Sequence, residues 1–236
     1  MIQSKSHYWR GTELVGLYGE GTSGAPSQQL EDLVQRCWTA LGAHSLAAGD
    51  VVFTRLWMRD RADAAGLAEV RERVLRGPAR SASSSFYSHD HFIGSGAVAL
   101  ELFAFRAVVP QTRRIVDFVP ARRYAHYMMQ DDWLFLSGMA EEGDSMDQQF
   151  DRAFAEVQKA LEMESLTWRN VTEATLFLER GRADIEWFRK RMVGAVKSPP
   201  RMSFEYVDGL ATPTKNLEIE IIAHRPPPPY KDDRDV

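Results

Sequence analysis

The chain has one cysteine, Cys37, in 236 residues, so no intrachain disulfide can staple its fold. It lacks a run of about 20 apolar residues of the kind a membrane helix needs. The apolar stretch "GAVALELFAFRAVV" is broken by Glu101 and Arg106. Positive charge is not in excess: 29 Lys and Arg stand against 33 Asp and Glu, a net charge of −4. Such a balance gives no basic surface for nucleic acid or an anionic membrane, and neither is expected as a partner. The opening "MIQSKSHYWRG" lacks the apolar core of a secretory leader, and the expected location is cytoplasmic.

Motifs are scarce as well. The serines at Ser83 to Ser85 lack the Gly-x-Ser-x-Gly turn of a hydrolase nucleophile. "GEGTSG" has the glycines of a phosphate loop without its lysine. His89, Asp90 and His91 form a short metal-like cluster, but no second group of His, Cys or paired carboxylates completes a coordination sphere. The expectation is no metal and no cofactor.

What the sequence does contain is an internal repeat. At a fixed offset of 120 and without gaps, Gln28, Gln29, Ala40, Leu41, Ser45, Leu46, Val51 and Leu56 face Gln148, Gln149, Ala160, Leu161, Ser165, Leu166, Val171 and Leu176. The order of elements recurs too. In the first half Leu30, Leu33, Val34, Cys37, Trp38 and Leu41 follow helical spacing after Pro26-Ser27. "DVVFTRLWMRD" reads as a buried strand and "ADAAGLAEVRERVL" as a second helix. A Gly-Pro-Ala-Arg turn leads to "SASSSFY", and "AVALELFAFRA" closes the unit with alternating faces. The second half gives strand "WLFLSGMA", helix Gln149 to Leu161, strand Val171 to Leu178, helix Ala183 to Val193, a Pro-Pro-Arg turn, and strands Met202 to Val207 and Leu217 to Ala223. Tryptophans 38, 57, 133 and 187 fall at core-like positions. The expected fold is α+β, two tandem domains each with a mixed sheet and two helices on one face. The boundaries are residues 1–109, a linker within 110–120, residues 121–225, and a Pro-rich, charged tail at 226–236.

Three features carry a family resemblance. Pro78-Ala79-Arg80-Ser81 recurs as Pro199-Pro200-Arg201, "LEIEIIAHR" closes the second half, and a tyrosine precedes each first hairpin, Tyr8 in "YWRG" and Tyr124 in "PARRYAHYMM". In these the chain resembles the RidA, or YjgF-like, family of imine and enamine deaminases, twice in tandem, a chorismate-mutase-like fold. The resemblance implies a catalytic set of Arg201, Glu218 and Tyr124, and a substrate-binding set of Arg80, Glu101 and Tyr8 in the first repeat. The first repeat departs from the pattern, with Ala99 where the family glutamate belongs and a shorter hairpin after Tyr8. Ala82 and Ser203 replace a cysteine frequent in the family, so no thiol role is implied.

The chemistry suits a small carboxylated metabolite: guanidinium for the carboxylate, and a glutamate and a hydroxyl to position water. Two alternatives stand beside the deaminase. One is a chorismatase-like hydrolase releasing pyruvate, and the other a non-catalytic binding or scaffolding protein. The resemblance also implies rings of three domains with sites between neighbours, hence a homo-oligomer, a trimer, in which each chain gives one domain to each of two rings.

Overall fold

The structure, a computed structural model, describes residues 2–9, 12–108, 112–182 and 184–225, except for the side chains of His7 and Trp9. Its first half runs β1 (Ile2–Trp9), β2 (Thr12–Glu20), α1 (Pro26–Ala43), β3 (Val51–Met58), α2 (Ala64–Val74), β4 (Ala82–Tyr87) and β5 (Val98–Ala104). The second half runs β6 (Arg114–Asp117), β7 (Ala125–Gln130), β8 (Trp133–Leu136), α3 (Met146–Met163), β9 (Val171–Glu179), α4 (Ile185–Ala195), β10 (Arg201–Val207), β11 (Gly209–Leu210) and β12 (Leu217–His224).

Two six-stranded sheets result, in the orders β1-β2-β5-β3-β4-β11 and β10-β9-β12-β8-β7-β6. The β3–β4 and β9–β10 pairs are parallel and the other strand pairs antiparallel. The parallel pairs are the ones bridged by α2 and α4, as a crossover connection requires.

Strand periodicity sorts the side chains. In β5, Val98, Leu100 and Leu102 join the core beneath α1, where Leu33, Cys37 and Leu41 are fully buried. Ala99, Glu101 and Phe103 point the other way, toward the second sheet. In β12, Leu217, Ile219 and Ile221 likewise pack under α3, whereas Glu218 and Glu220 turn inward. The inner faces of the two sheets therefore meet across a mixed layer. Phe86 stacks on Phe177 at 4.0 Å between ring centres, and Arg55 reaches across to Glu220 at 2.7 Å.

Three sequence expectations need correction. The segment read as a linker holds β6, which pairs antiparallel with β7, so the second sheet begins before residue 121. The fourth helix runs Ile185–Ala195, displaced by two residues, with Asp184 capping the Trp187 amide; Ala183 lies outside the described residues. Finally, the halves share a sheet: β11 adds to the edge of β4, and Ser83 and Gly138 join main chain across the same edge at 3.2 Å. Arg10, Gly11 and the tail at 226–236 lie outside the described residues. Among those described, no helix is long and apolar enough to cross a membrane.

Candidate functional site

Strand order separates the residues expected to act together. Arg201 lies in one row with Glu173 and Ile222, and Glu218 lies in another with Phe177 and Glu205. Four residues along a strand span roughly 13 Å, and two strand spacings add about 9.6 Å sideways. Arg201 cannot reach Glu218. The structure instead brings Arg80 of the first half together with Tyr124 and Glu218 of the second, around a cleft of ≈ 540 Å³ between the two domains.

The cleft forms because β4 has a neighbour on its open edge. The Ser83 amide donates to Ser137 Oγ at 2.8 Å, and that hydroxyl donates to the Ala125 carbonyl at 2.6 Å. This stitch sets Arg80, just before β4, opposite Tyr124, just before β7. The site therefore closes within one chain. In this structure the two domains of a chain are neighbours around one site.

Glu218 is the chemical centre of the cleft. Its side chain is buried, and Oε1 has no hydrogen-bond partner among the described residues. Burial holds its carboxyl well above the usual carboxylate range, Glu220 two residues away adds to the rise, and Lys215, Arg55 and Arg71 pull it back. The space it occupies depends on Gly138, where a Cβ would sit 1.6 Å from Glu218 Oε1.

Arg80 forks onto Asp117, with one contact at 3.2 Å. Its guanidinium thus already holds a carboxylate in the geometry a ligand would use. Tyr124 is 37% exposed, stands edge-on to Phe118 and accepts a long hydrogen bond of 3.5 Å from Arg122.

Two cations in the wall were missed by the sequence reading. Arg71, from α2, donates to the Ser84 carbonyl and Ser85 Oγ, each at 2.7 Å, and to the Thr54 carbonyl at 2.8 Å. All these partners are neutral, and burial pushes its guanidinium down to about 10. Within "AEVRERVL" it looks like any exposed helix charge. Lys215 donates to the Ala140 carbonyl at 2.5 Å beside Glu218, in a loop with no pattern to flag it.

The other expected residues lie elsewhere. Glu101 accepts from Arg55 at 3.1 Å on the inner face of the first sheet, away from Arg80. Tyr8 is 72% exposed on the edge strand β1 and lines neither cavity. Arg201 lines a second cavity. His89 and His91 diverge to separate carboxylates, Asp208 at 3.1 Å and Glu205 at 3.0 Å.

This pair of α+β domains with a site at their junction defines a class, the tandem YjgF-like fold. Residues 115–225, the second of the two domains, match the family described as Endoribonuclease L-PSP, the YjgF/RidA family. No curated protein matches its sequence. Among solved structures it is similar to a chorismatase, with 14% identity, a TM-score of 0.67, and coverage of 93% of this chain and 79% of that one. It is also similar to Rv2704 from Mycobacterium tuberculosis, of the YjgF/YER057c/UK114 family, at 22% identity and a TM-score of 0.41; the match covers 48% of this chain and 98% of that one. A third likeness is to NMB1025 from Neisseria meningitidis, a YjgF family member, with 23% identity, a TM-score of 0.40 and coverage of 48% and 93%. The chorismatase likeness gives the arrangement of both domains, and the other two each span one half.

Proposed function

We propose that the interdomain cleft hydrolyses the imine or enamine of a small carboxylated molecule. Arg80 takes the carboxylate, exchanging Asp117 for the ligand. Glu218, in its protonated form, gives its proton to the terminal carbon of the enamine, which becomes an iminium. Water adds to the C=N carbon, with Tyr124 orienting it and the Glu218 carboxylate receiving its proton. The tetrahedral adduct then expels ammonia and leaves the 2-oxo acid. The fixed charges of Arg71 and Lys215 stabilise the Glu218 anion between the two proton transfers. One observation carries the reading: a buried carboxyl with an unpartnered oxygen faces the same cleft as a guanidinium already set for a carboxylate.

A second reading rests on the charge of the cleft. Arg71, Arg76, Arg80, Arg122, Arg123 and Lys215 line it against Glu72 and Glu218, a cation surplus suited to two carboxylates. Protonation of an enol ether at carbon uses the same acid, and the likeness to a chorismatase over most of the chain accords with it.

The test is the loss of 2-iminopropanoate, generated in situ from alanine by an amino-acid oxidase and trapped with semicarbazide, run beside pyruvate release from chorismate. Acceleration of the first by wild type and not by Arg80→Ala supports the deaminase. Pyruvate from chorismate alone moves the assignment to the enol ether. Activity in neither assay leaves a binding protein.

A further inference from the structure

His89, Asp90 and His91 lie in the connection between β4 and β5, and the reaction proposed for the cleft uses none of them. Each reaches a charged residue of the second domain. His89 Nδ1 lies 3.1 Å from Asp208, Asp90 accepts from Arg180 at 2.6 Å, and His91 Nε2 lies 3.0 Å from Glu205. Three successive residues thus tie one domain to the other.

Asp208 is where the ties converge. It accepts from the His89 amide at 2.8 Å as well as from the ring, and from Arg180 Nε at 3.3 Å. It directly precedes β11, and the segment that follows supplies one wall of the cleft through Leu210, Ala211, Thr212 and Lys215. The far end of that segment is held without an imidazole: Gln149 donates to the Thr214 carbonyl at 3.1 Å and accepts from the Asn216 amide at 2.8 Å, and the Thr214 hydroxyl donates to Glu142 at 2.6 Å. At the near end the main chain offers the two-residue pairing of β11 with β4 and the amide bonds of Asp208 and Ala211 beside it.

The two rings are set to carry a proton or to do without one. His91 stacks on Trp57 with 3.7 Å between ring centres, and its carbonyl accepts from the Tyr18 hydroxyl at 2.6 Å, with Glu20 and Arg59 beyond Tyr18. Its Nδ1 is 2.8 Å from Ser88 Oγ, and a hydroxyl donates to a neutral imidazole or accepts from a charged one. Nε2 therefore stays on Glu205 in both states, and what the proton adds is charge. His89 faces Asp208, Arg180 through Asp208, and the edge of Tyr87. Burial raises both carboxyls, but the bonds from His91 to Glu205, with Arg55 behind, and from His89 and Arg180 to Asp208 outweigh it and hold both below the usual range. Both remain anions where imidazole, as a class of side chain, changes charge. His126 takes no part, since burial, Lys159 and Arg122 hold its ring down to about 4.

We propose that His89 and His91 form a proton-operated clasp on the cleft. With both rings charged, the segment 208–216 is drawn against the first domain, and as the rings lose their protons with rising pH the segment loosens and the wall opens. This holds whatever reaction the cleft performs. The pairs are partly exposed, so the clasp biases the wall by a few fold and salt weakens it.

Cys37 is fully buried, so a Thr212→Cys chain takes a nitroxide label at one place, on the cleft wall. Electron paramagnetic resonance of the labelled full chain at pH ~5.5 and ~8 reads the segment without any substrate. The mobile fraction is expected to rise about two- to fivefold with pH. The rise should vanish in the same chain carrying His89→Gln and His91→Gln, whose amides keep a hydrogen-bond donor and carry no charge. Each single substitution, which spares more of the fold, should give a smaller rise than the parent. Equal mobility at both pH values, or an undiminished rise in the double variant or in both single ones, would overturn the proposal.

Discussion

Arg80 and Arg201 occupy similar places in the two repeats, each after a proline turn at the entrance of a strand that pairs in parallel, yet their surroundings differ. The edge of β4 carries β11 and the Ser137–Gly138 segment, so Arg80 gains a wall from the other domain. The edge of β10 carries no strand among the described residues, and Arg201 keeps only the inner faces of its own chain. A side chain's role in this fold is set by which sheet edge has a neighbour, more than by the motif that holds it.

The comparison breaks most sharply at the acid. Glu218→Gln removes the proton donor on the Arg80 side, and turnover should fall by roughly 10²–10⁴-fold in the assay to which wild type responds. Turnover unchanged in this variant would remove Glu218 from the chemistry. Next come the arginines themselves: Arg80→Ala should lose about 10–100-fold in kcat/KM and Arg201→Ala less than about threefold. The reverse ranking, measured on the same substrate, would move the site to the second cavity.

Gly138→Ala tests the fit between domains. Its Cβ collides with the Glu218 carboxyl, and overpacking of that kind costs about 1–3 kcal/mol. Denaturant unfolding should show the loss together with weakened activity; a variant as stable and active as wild type would mean that Glu218 has room the geometry denies it.

The same carboxyl predicts a pH effect. An unfolded glutamic acid releases its proton near ~4.3. Folded Glu218 holds its proton to higher pH. Above ~4.3 the folded state thus binds more protons than the unfolded, so this group's contribution is complete below that pH and is lost as pH rises through the folded pKa. The slope approaches about 1.4 kcal/mol per pH unit. Glu218→Gln should gain stability over wild type as pH rises toward 8, read as a widening gap in Tm. Parallel curves would show that the group ionises normally.

The smallest effect is expected at Asp117, whose pair with Arg80 is half-exposed and worth at most about 1 kcal/mol. Asp117→Asn should tighten carboxylate binding in the cleft by about two- to fivefold in titration. Weaker binding would mean that Asp117 holds Arg80 in place for the ligand instead of competing with it.

Much of this was legible from residues alone. Helical spacing from Leu30 to Leu41 and its repetition 120 positions later gave the long first helix of each half, α1 and α3. Alternation in β5 separated the faces correctly. The strand β6 was lost because four residues, Arg114 to Asp117, carry too little pattern against the prolines around them, and only pairing with β7 makes them a strand. Arg201 was matched with Glu218 because both belong to the second repeat, and sequence does not say that β9 lies between their strands. A clue was available at Arg55, a charge inside the apolar run "VVFTRLWM", which needs a buried counter-charge.

The strand β11 carries one more consequence. Two residues from late in the chain complete a sheet laid down by the first hundred, so the first half's sheet is unfinished without the second. A chain cut between the repeats should behave as a complementing pair: separate fragments with a bare β4 edge, prone to stick to one another, that recover a single monodisperse species on mixing.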